Sequence, residues 1–378
     1  MKFCIFVFES ILEKMNPFGI IYNPNYFCDR KNEVNSLTDN VDNGLNTLIH
    51  SPRRLGKTAL IQHFFHLLEK GKTWDTIYID LFSTQNMNDL ISLLAETILK
   101  KYHSKNIFSG IKTVLKGISP TVKFAPDGSP SVSLNLMENE QKHTLGELMD
   151  FLNRRKKPVL IAFDEFQEVA AYPEKAEATL RSFIQHLDNV KFIFSGSSNH
   201  LLQEMFYSAK RPFYQSSEVL VLEKIPHEEY KQFISETFKK NKKSIEEEAV
   251  NTILEFSEIY TYYTQICSNQ CFSKTEKFLT VRDTQKILDE YIESRKADYI
   301  QLLNLLPVNQ KKLAIAVAKE GAVTQPTALD FIMKYNLPAV SSTLQSVKSL
   351  ADKEIVYHHN RKYIIYDVFF KQFLVRYY

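Results

Sequence analysis

"HSPRRLGKTALI", residues 50–61, runs a loop of small and basic residues directly into an apolar stretch. A loop that holds a nucleotide phosphate needs backbone N–H groups turned inward, a lysine for the outer phosphates, a hydroxyl for Mg²⁺ and a helix N-terminus facing the anion. Ser51, Pro52, Arg53, Arg54, Leu55, Gly56, Lys57, Thr58 and Ala59 supply these groups. The pattern GxxxxGK[ST] is met at Gly56, Lys57 and Thr58, with Ser51 in place of the first glycine. That departure is modest, because Gly56 is where a Cβ would most obstruct the approach of a β phosphate. The competing reading is a chance lysine opening an ordinary helix.

Context separates the two. "LNTLIHS" (45–51), bounded by Gly44 and Pro52, suits a short buried strand. "ALIQHFFHLLEKG" then places Leu60, Phe64, Leu67 and Leu68 on one helical side, and Gly71 ends that helix. The loop thus follows a predicted strand and opens a predicted helix, the setting the motif requires. Further on, "VLIAFDEF" ends an apolar run in adjacent carboxylates, Asp164 and Glu165. In a P-loop enzyme the first steadies Mg²⁺ and the second polarises the attacking water. Taken alone, two acids at a strand end are also an ordinary solvated terminus.

Other apolar runs are "TIYIDLF" (76–82), "KFIFSGSS" (191–198) and "EVLVLEKI" (218–225), with helical patterns between most of them. Strands alternating with helices predict an α/β core with a parallel sheet covered on both faces. Between about 107 and 137, "SPTVKFAPDGSPSVSLNL" alternates around Pro-Asp-Gly-Ser and predicts an inserted β-hairpin. From Pro226 to about Leu306 the pattern is fully helical, a lid-like region of 226–306. After Pro307 come three shorter helices, roughly 309–319, 327–334 and 341–352, then "EIVYHHNRKYIIYD", two β-rich runs around a basic turn. That order predicts a winged helix over 307–378, leaving 16–225 as the core. Its third helix is read with Val340, Leu344 and Val347 inward and Ser342, Gln345, Lys348 and Ser349 outward. With His358, His359, Arg361 and Lys362 of the wing it can touch DNA phosphates, although a reader of base edges brings more arginine. A wing that folds back or recruits protein is the rival reading.

Composition permits these partners without selecting one. The 378 residues are 44% hydrophobic and 24% charged, enough for a substantial core and several domains. Forty-seven basic against 44 acidic side chains give +3, and the pI near 8.4 is below the roughly pI 9 that advertises nucleic acid on composition alone. Cys4, Cys28, Cys267 and Cys271 contain no CxxC pair, so reduced thiols and a cytoplasmic location are expected rather than zinc. The N-terminal "MKFCIFVFESILEKMNPFG" has an apolar run broken by Glu9 and no small-residue cleavage site, which argues against a signal peptide. Residues 1–15 precede the core as an N-terminal extension, and Met15 is the expected native start, with residues 1–14 upstream of it. No run of 18 or more apolar residues predicts a membrane span.

The chain resembles the archaeal-type ATPases of the AAA+/STAND branch of P-loop NTPases. "NYFCDRKNEVNSL" (25–37) is similar to their entry box, followed by "PRRLGKTAL", "IAFDEFQEV", "FIFSGSS", "RPFYQSSEVLVLEKI" and "YIIYDVFFKQFL". The resemblance spans nearly everything from about residue 16 and implies an ATP-hydrolysing switch dependent on Mg²⁺, with self-association or a protein partner as further expectations. It implies that Tyr26, Phe27 and Arg30 lie near the adenine; a capped helix start, Asp29 followed by Glu33, is the alternative. It puts Ser195 or Ser197 at the position that senses the γ phosphate, with a plain turn of small residues as the alternative, and Arg211 where an arginine reaches that phosphate in cis or from a neighbour, with a solvated surface arginine as the alternative. Arg53 and Arg54 are placed in the loop to contact phosphate or the lid, and sequence alone settles neither role. Relatives commonly carry Gly-x-Pro in the helical region, where this chain has "EIYTYYTQ" (258–265), which leaves the coupling of lid to nucleotide open. His63 and His66, one turn apart, are read as boundary histidines rather than metal ligands.

Overall fold

The computed structural model describes residues 16–102, 121–124, 130–133, 136–197, 199–359 and 361–378. The N-terminal extension, Cys4 and most of the 107–137 insertion lie outside the described residues. Contacts divide the chain into two units: Ile21–Lys224, and Ile225–Tyr378 together with the described residues up to Ile20.

The first unit runs α1 (Lys31–Asp42), β1 (Thr47–His50), α2 (Lys57–Gly71), β2 (Asp75–Asp80), α3 (Met87–Lys101), β3 (Thr121–Phe124), β4 (Pro130–Ser133), α4 (Glu138–Asn153), β5 (Val159–Asp164), α5 (Ala176–Ile184), β6 (Val190–Ser195), α6 (Asn199–Tyr207) and β7 (Glu218–Val221). Strands β3 and β4 pair antiparallel, with Thr121 opposite Ser133 and Phe124 opposite Pro130, and residues 125–129 between them lie outside the described residues. The other five make one parallel sheet in the order β2-β5-β6-β1-β7. Every residue of β5 is buried, as a central parallel strand covered on both faces requires. Strand β7 is the opposite: an edge, with Val219 and Val221 exposed.

Two consequences bear on the site. Because β6 stands between β1 and β5, Ser195 at its end lies between the loop that follows β1 and the acids that end β5. The end of β5 is also held rigidly. Phe166, immediately after Glu165, is fully buried against Phe194 at 4.6 Å and against Phe206 and Phe213. Such aromatic packing contributes about 0.5–1.5 kcal/mol per pair beyond area burial. Helix α2 ends at Gly71, where the sequence reading puts it, and Lys72 takes the left-handed cap at φ +54°, its N–H bonding the carbonyls of Glu69 and Leu68.

The second unit contains α7 (His227–Lys240), β8 (Ser244–Ile245), α8 (Glu247–Phe256), α9 (Thr261–Lys274), β9 (Phe278–Leu279), α10 (Val281–Ser294), α11 (Lys296–Asn304), α12 (Val308–Glu320), α13 (Leu329–Lys334), α14 (Val340–Asp352), β10 (Val356–His359), β11 (Lys362–Ile365) and α15 (Val368–Tyr377). The stretch read as fully helical thus carries a short parallel ladder, β8 with β9. Residues 16–20, grouped with the core in the sequence reading, pack here. Phe18 sits against Phe233, Phe238 and Phe272, and Asn16 donates to Asn269 O at 3.0 Å. The turn between α8 and α9 puts Glu258 and Ile259 at φ +49° and +55°, and the Glu258 carboxylate holds Lys371 of α15 at 2.6 Å.

The C-terminal helices and the β10–β11 hairpin form the winged helix, with Val323 bridging to Tyr363 as a short third strand. The inward face of α14 is corrected. Thr343, Ser346, Val347 and Leu350 are buried, whereas Val340 and Leu344 are 45% and 46% exposed. The helix is rotated from the predicted setting because two small polar residues, bonding back to Pro338 O and Ser342 O, fit the core side.

Candidate active site

The loop between β1 and α2 is shaped by two left-handed residues, Arg54 at φ +70° and Gly56 at φ +91°, which turn successive N–H groups to one side. Gly56 caps α2, so Lys57 and Thr58 open the helix. The Lys57 side chain is buried, and its Nζ donates to Ser51 O at 3.1 Å, Ser51 Oγ at 3.3 Å and Pro52 O at 3.2 Å, all neutral oxygens. Burial pushes this ammonium down to about 8; Asp164 and Glu165 oppose that shift, and Arg53 adds to it. A buried cation with neutral acceptors only is a group that an incoming anion stabilises.

Arg30 braces the loop from behind. It is buried, pairs with Glu33 at 2.7 Å and donates from Nη2 to Leu55 O at 3.1 Å. The capped-start alternative does not hold: Arg30 itself is the N-cap, at φ +71° without a side-chain cap bond, and Glu33 is engaged by its guanidinium.

Strand pairing brings the acids to the loop. Asp164 Oδ2 accepts Thr58 Oγ1 at 2.8 Å and Tyr78 OH at 2.7 Å; Oδ1 accepts Ser195 Oγ at 2.5 Å and Glu165 N at 3.1 Å. Tyr78 was not visible in the sequence. It stands opposite Ala162 in the β2–β5 register, and its side chain reaches Asp164, the next residue on that face. Burial, with Asp164 beside it, pushes the Tyr78 phenol well up, so it stays a donor. Glu165 adopts φ +53°, and its Oε2 accepts Gln167 Nε2 at 2.6 Å, Ser197 N at 3.0 Å and Ser197 Oγ at 2.7 Å. A hydroxyl beside a carboxylate is a hard oxygen set that suits Mg²⁺, which takes one or two carboxylates and completes its shell from water and phosphate. Among the described residues no group of three or more His, Cys, Asp or Glu forms an all-protein metal cage.

Residues 27–266, more than half of the chain, match the family described as "ATPase domain predominantly from Archaea". The chain belongs to that family. Residues 297–376 match a second family, "Probable winged helix domain". Among solved structures the chain is similar to a Walker-type ATPase of Pyrococcus abyssi, at 19% identity and TM-score 0.62, covering 95% of this chain and 99% of that one. It is also similar to the ORC2 protein of Aeropyrum pernix, solved in ADPNP and ADP complexes, at 14% identity and TM-score 0.60 over 95% of each chain. The ORC1 protein of the same organism, solved in complex with DNA, aligns at 13% identity and TM-score 0.53, again over 95% of each chain. Curated proteins give no match. At these identities the structures establish the fold: a P-loop NTPase sheet followed by helices and a winged helix.

Arg211 pairs with Glu177 of α5 at 2.9 Å and with Glu204 at 3.8 Å, so its ion partners lie outside the loop and the two acids. Phe27 stacks on His63 of α2 with ring centres 3.9 Å apart, and Tyr22 OH meets His63 Nδ1 at 3.0 Å, forming an aromatic shelf beside the helix that Lys57 opens. Burial, with His66 nearby, pushes His63 down. Cys267 and Cys271 are buried on α9 with thiols pushed up by burial, Cys271 to about 12. Among the described residues no helix is long and apolar enough to cross a membrane.

Proposed function

We propose that the chain binds MgATP in the 51–59 loop and hydrolyses it. The observation that carries this reading is the buried Lys57 ammonium, held by neutral oxygens only, next to the Thr58–Asp164–Glu165 array. Loop N–H groups and Lys57 grip the phosphates, and Arg30 keeps the loop in shape through Leu55 O. Thr58 and Asp164 are the residues that would hold Mg²⁺, which supplies charge neutralisation on the phosphoryl group when bound. Ser195 fixes the Asp164 carboxylate, and Glu165 orients the attacking water and accepts its proton. The shelf of Phe27 and His63 takes the adenine, and Arg211 serves phosphate only after leaving Glu177. In this reading the helical region, 226–306, is a lid and the winged helix, 307–378, is the output that nucleotide state reorients.

A second reading is a nucleotide-gated regulator that binds DNA or protein with negligible turnover. The exposed Val340 and Leu344 on α14 favour a protein partner for that output, since a phosphate-facing helix gains nothing from them. Phosphate release separates the two. We expect wild type to release phosphate at least about a hundredfold faster than Glu165→Gln. Equal rates with ATP binding intact leave only the regulator.

A further inference from the structure

This inference rests on the hydrolysis reading and adds a residue to that same site. Gln167 lies two positions beyond Glu165, in the 3-10 segment Phe166–Ala171 that follows β5, and it is 4% exposed. Its Nε2 donates to Glu165 Oε2 at 2.6 Å and to Glu168 Oε1 at 3.2 Å, while its own Oε1 is buried with no hydrogen-bond partner. An unpaired buried amide oxygen destabilises a fold. Leucine or methionine would fill similar space without that cost, so packing does not explain a glutamine here, whereas its donor does.

The backbone opposite makes room for the amide. A Cβ on Gly196, the residue after β6, would overlap Gln167 Oε1 and approach Leu202 Cδ1 to 3.0 Å. The missing side chain at 196 and the amide at 167 are therefore one arrangement. Ser197, next in the chain, adds its N–H and hydroxyl to the same carboxylate oxygen.

Three donors thus converge on Glu165 Oε2, and Oε1 makes no hydrogen bond to any described residue. A free glutamate samples several rotamers, whereas one pinned at a single oxygen presents the other in a fixed direction. We propose that Gln167 is a positioning residue, which pins Oε2 so that Oε1 faces the attacking water. It touches neither nucleotide nor water and acts through Glu165.

The test uses the full chain and separates ATP Kd from kcat in wild type, Gln167→Leu, Gly196→Ala, Glu165→Gln and the double variant Gln167→Leu/Glu165→Gln. Gln167→Leu is expected to bind ATP within about twofold of wild type while kcat falls roughly tenfold or more. Gly196→Ala keeps the glutamine but displaces its amide, so it shows the same split and covers a failure of Gln167→Leu to fold. The double variant is no slower than Glu165→Gln alone, because the amide acts only through that carboxylate. Wild-type kcat in either ATP-binding variant, or a further loss in the double variant, overturns the inference while leaving hydrolysis standing. A wild type that binds ATP yet releases phosphate no faster than Glu165→Gln removes the hydrolysis reading, and this inference with it.

Discussion

Lys57 is the side chain whose charge a bound triphosphate changes most. Unliganded, it titrates near 8 because burial disfavours the ammonium, and an anion beside it raises that value. ATP binding therefore takes up protons, and affinity falls as pH rises through 8. Titrations between pH 7.5 and 9.5, above the titration of phosphomonoesters near pH 6, should show this slope in wild type and not in Lys57→Ala. The sign for stability is opposite. The unfolded lysine, near 10.4, binds more protons than the folded one between pH 8 and 10.4, so this group's contribution to stability rises with pH across that window. Tyr78 gives a second test: Tyr78→Phe removes one of two donors on Asp164 Oδ2 and should lower unfolding free energy by about 1.5–3 kcal/mol, read from urea denaturation.

Elements explain which features could be foreseen. The strand-loop-helix around Lys57 and the acidic end of β5 were legible because local pattern and motif agree there. Tyr78 was not, since its contact depends on the β2–β5 register, and neither was the insertion of β6 between β1 and β5, which no local pattern encodes. The face of α14 was misread because apolar count placed Val340 and Leu344 inside, whereas Thr343 and Ser346 satisfy their hydroxyls locally and pack in their place. The end of α2 at Gly71 was legible, but the chemistry of its cap was not. There, glycine occupies the helical position and lysine the left-handed one, each the poorer choice for its conformation. The swap Gly71→Ala/Lys72→Gly should stabilise by about 1–2 kcal/mol, since a Cβ at 71 meets only ordinary contact with Thr73 at 3.7 Å. Urea unfolding measures it, and unchanged stability would contradict this view of the cap.

At the scale of the molecule, the residues proposed to bind nucleotide, from Phe27 to Arg211, all belong to the Ile21–Lys224 unit, and the helical region and winged helix belong to the other. A ligand that binds only the folded site stabilises the unit that contains it. MgATP at 100 times Kd should add about 2.7 kcal/mol, raising the calorimetric transition of the Ile21–Lys224 unit by roughly 5–10 °C, and Lys57→Ala should abolish the shift. Residues 307–378 carry ten Lys and Arg against five Asp and Glu, so the winged helix is more basic than the chain as a whole; that charge suits phosphate contact, whereas the exposed Val340 and Leu344 suit a protein partner. Equilibrium binding of ATP to the intact chain, wild type against Lys57→Ala, most directly tests whether a triphosphate is gripped where β1 hands over to α2. We expect the variant to lose at least about a hundredfold, on the order of 2.7 kcal/mol. Equal affinities would place the nucleotide elsewhere and contradict the assignment of this loop.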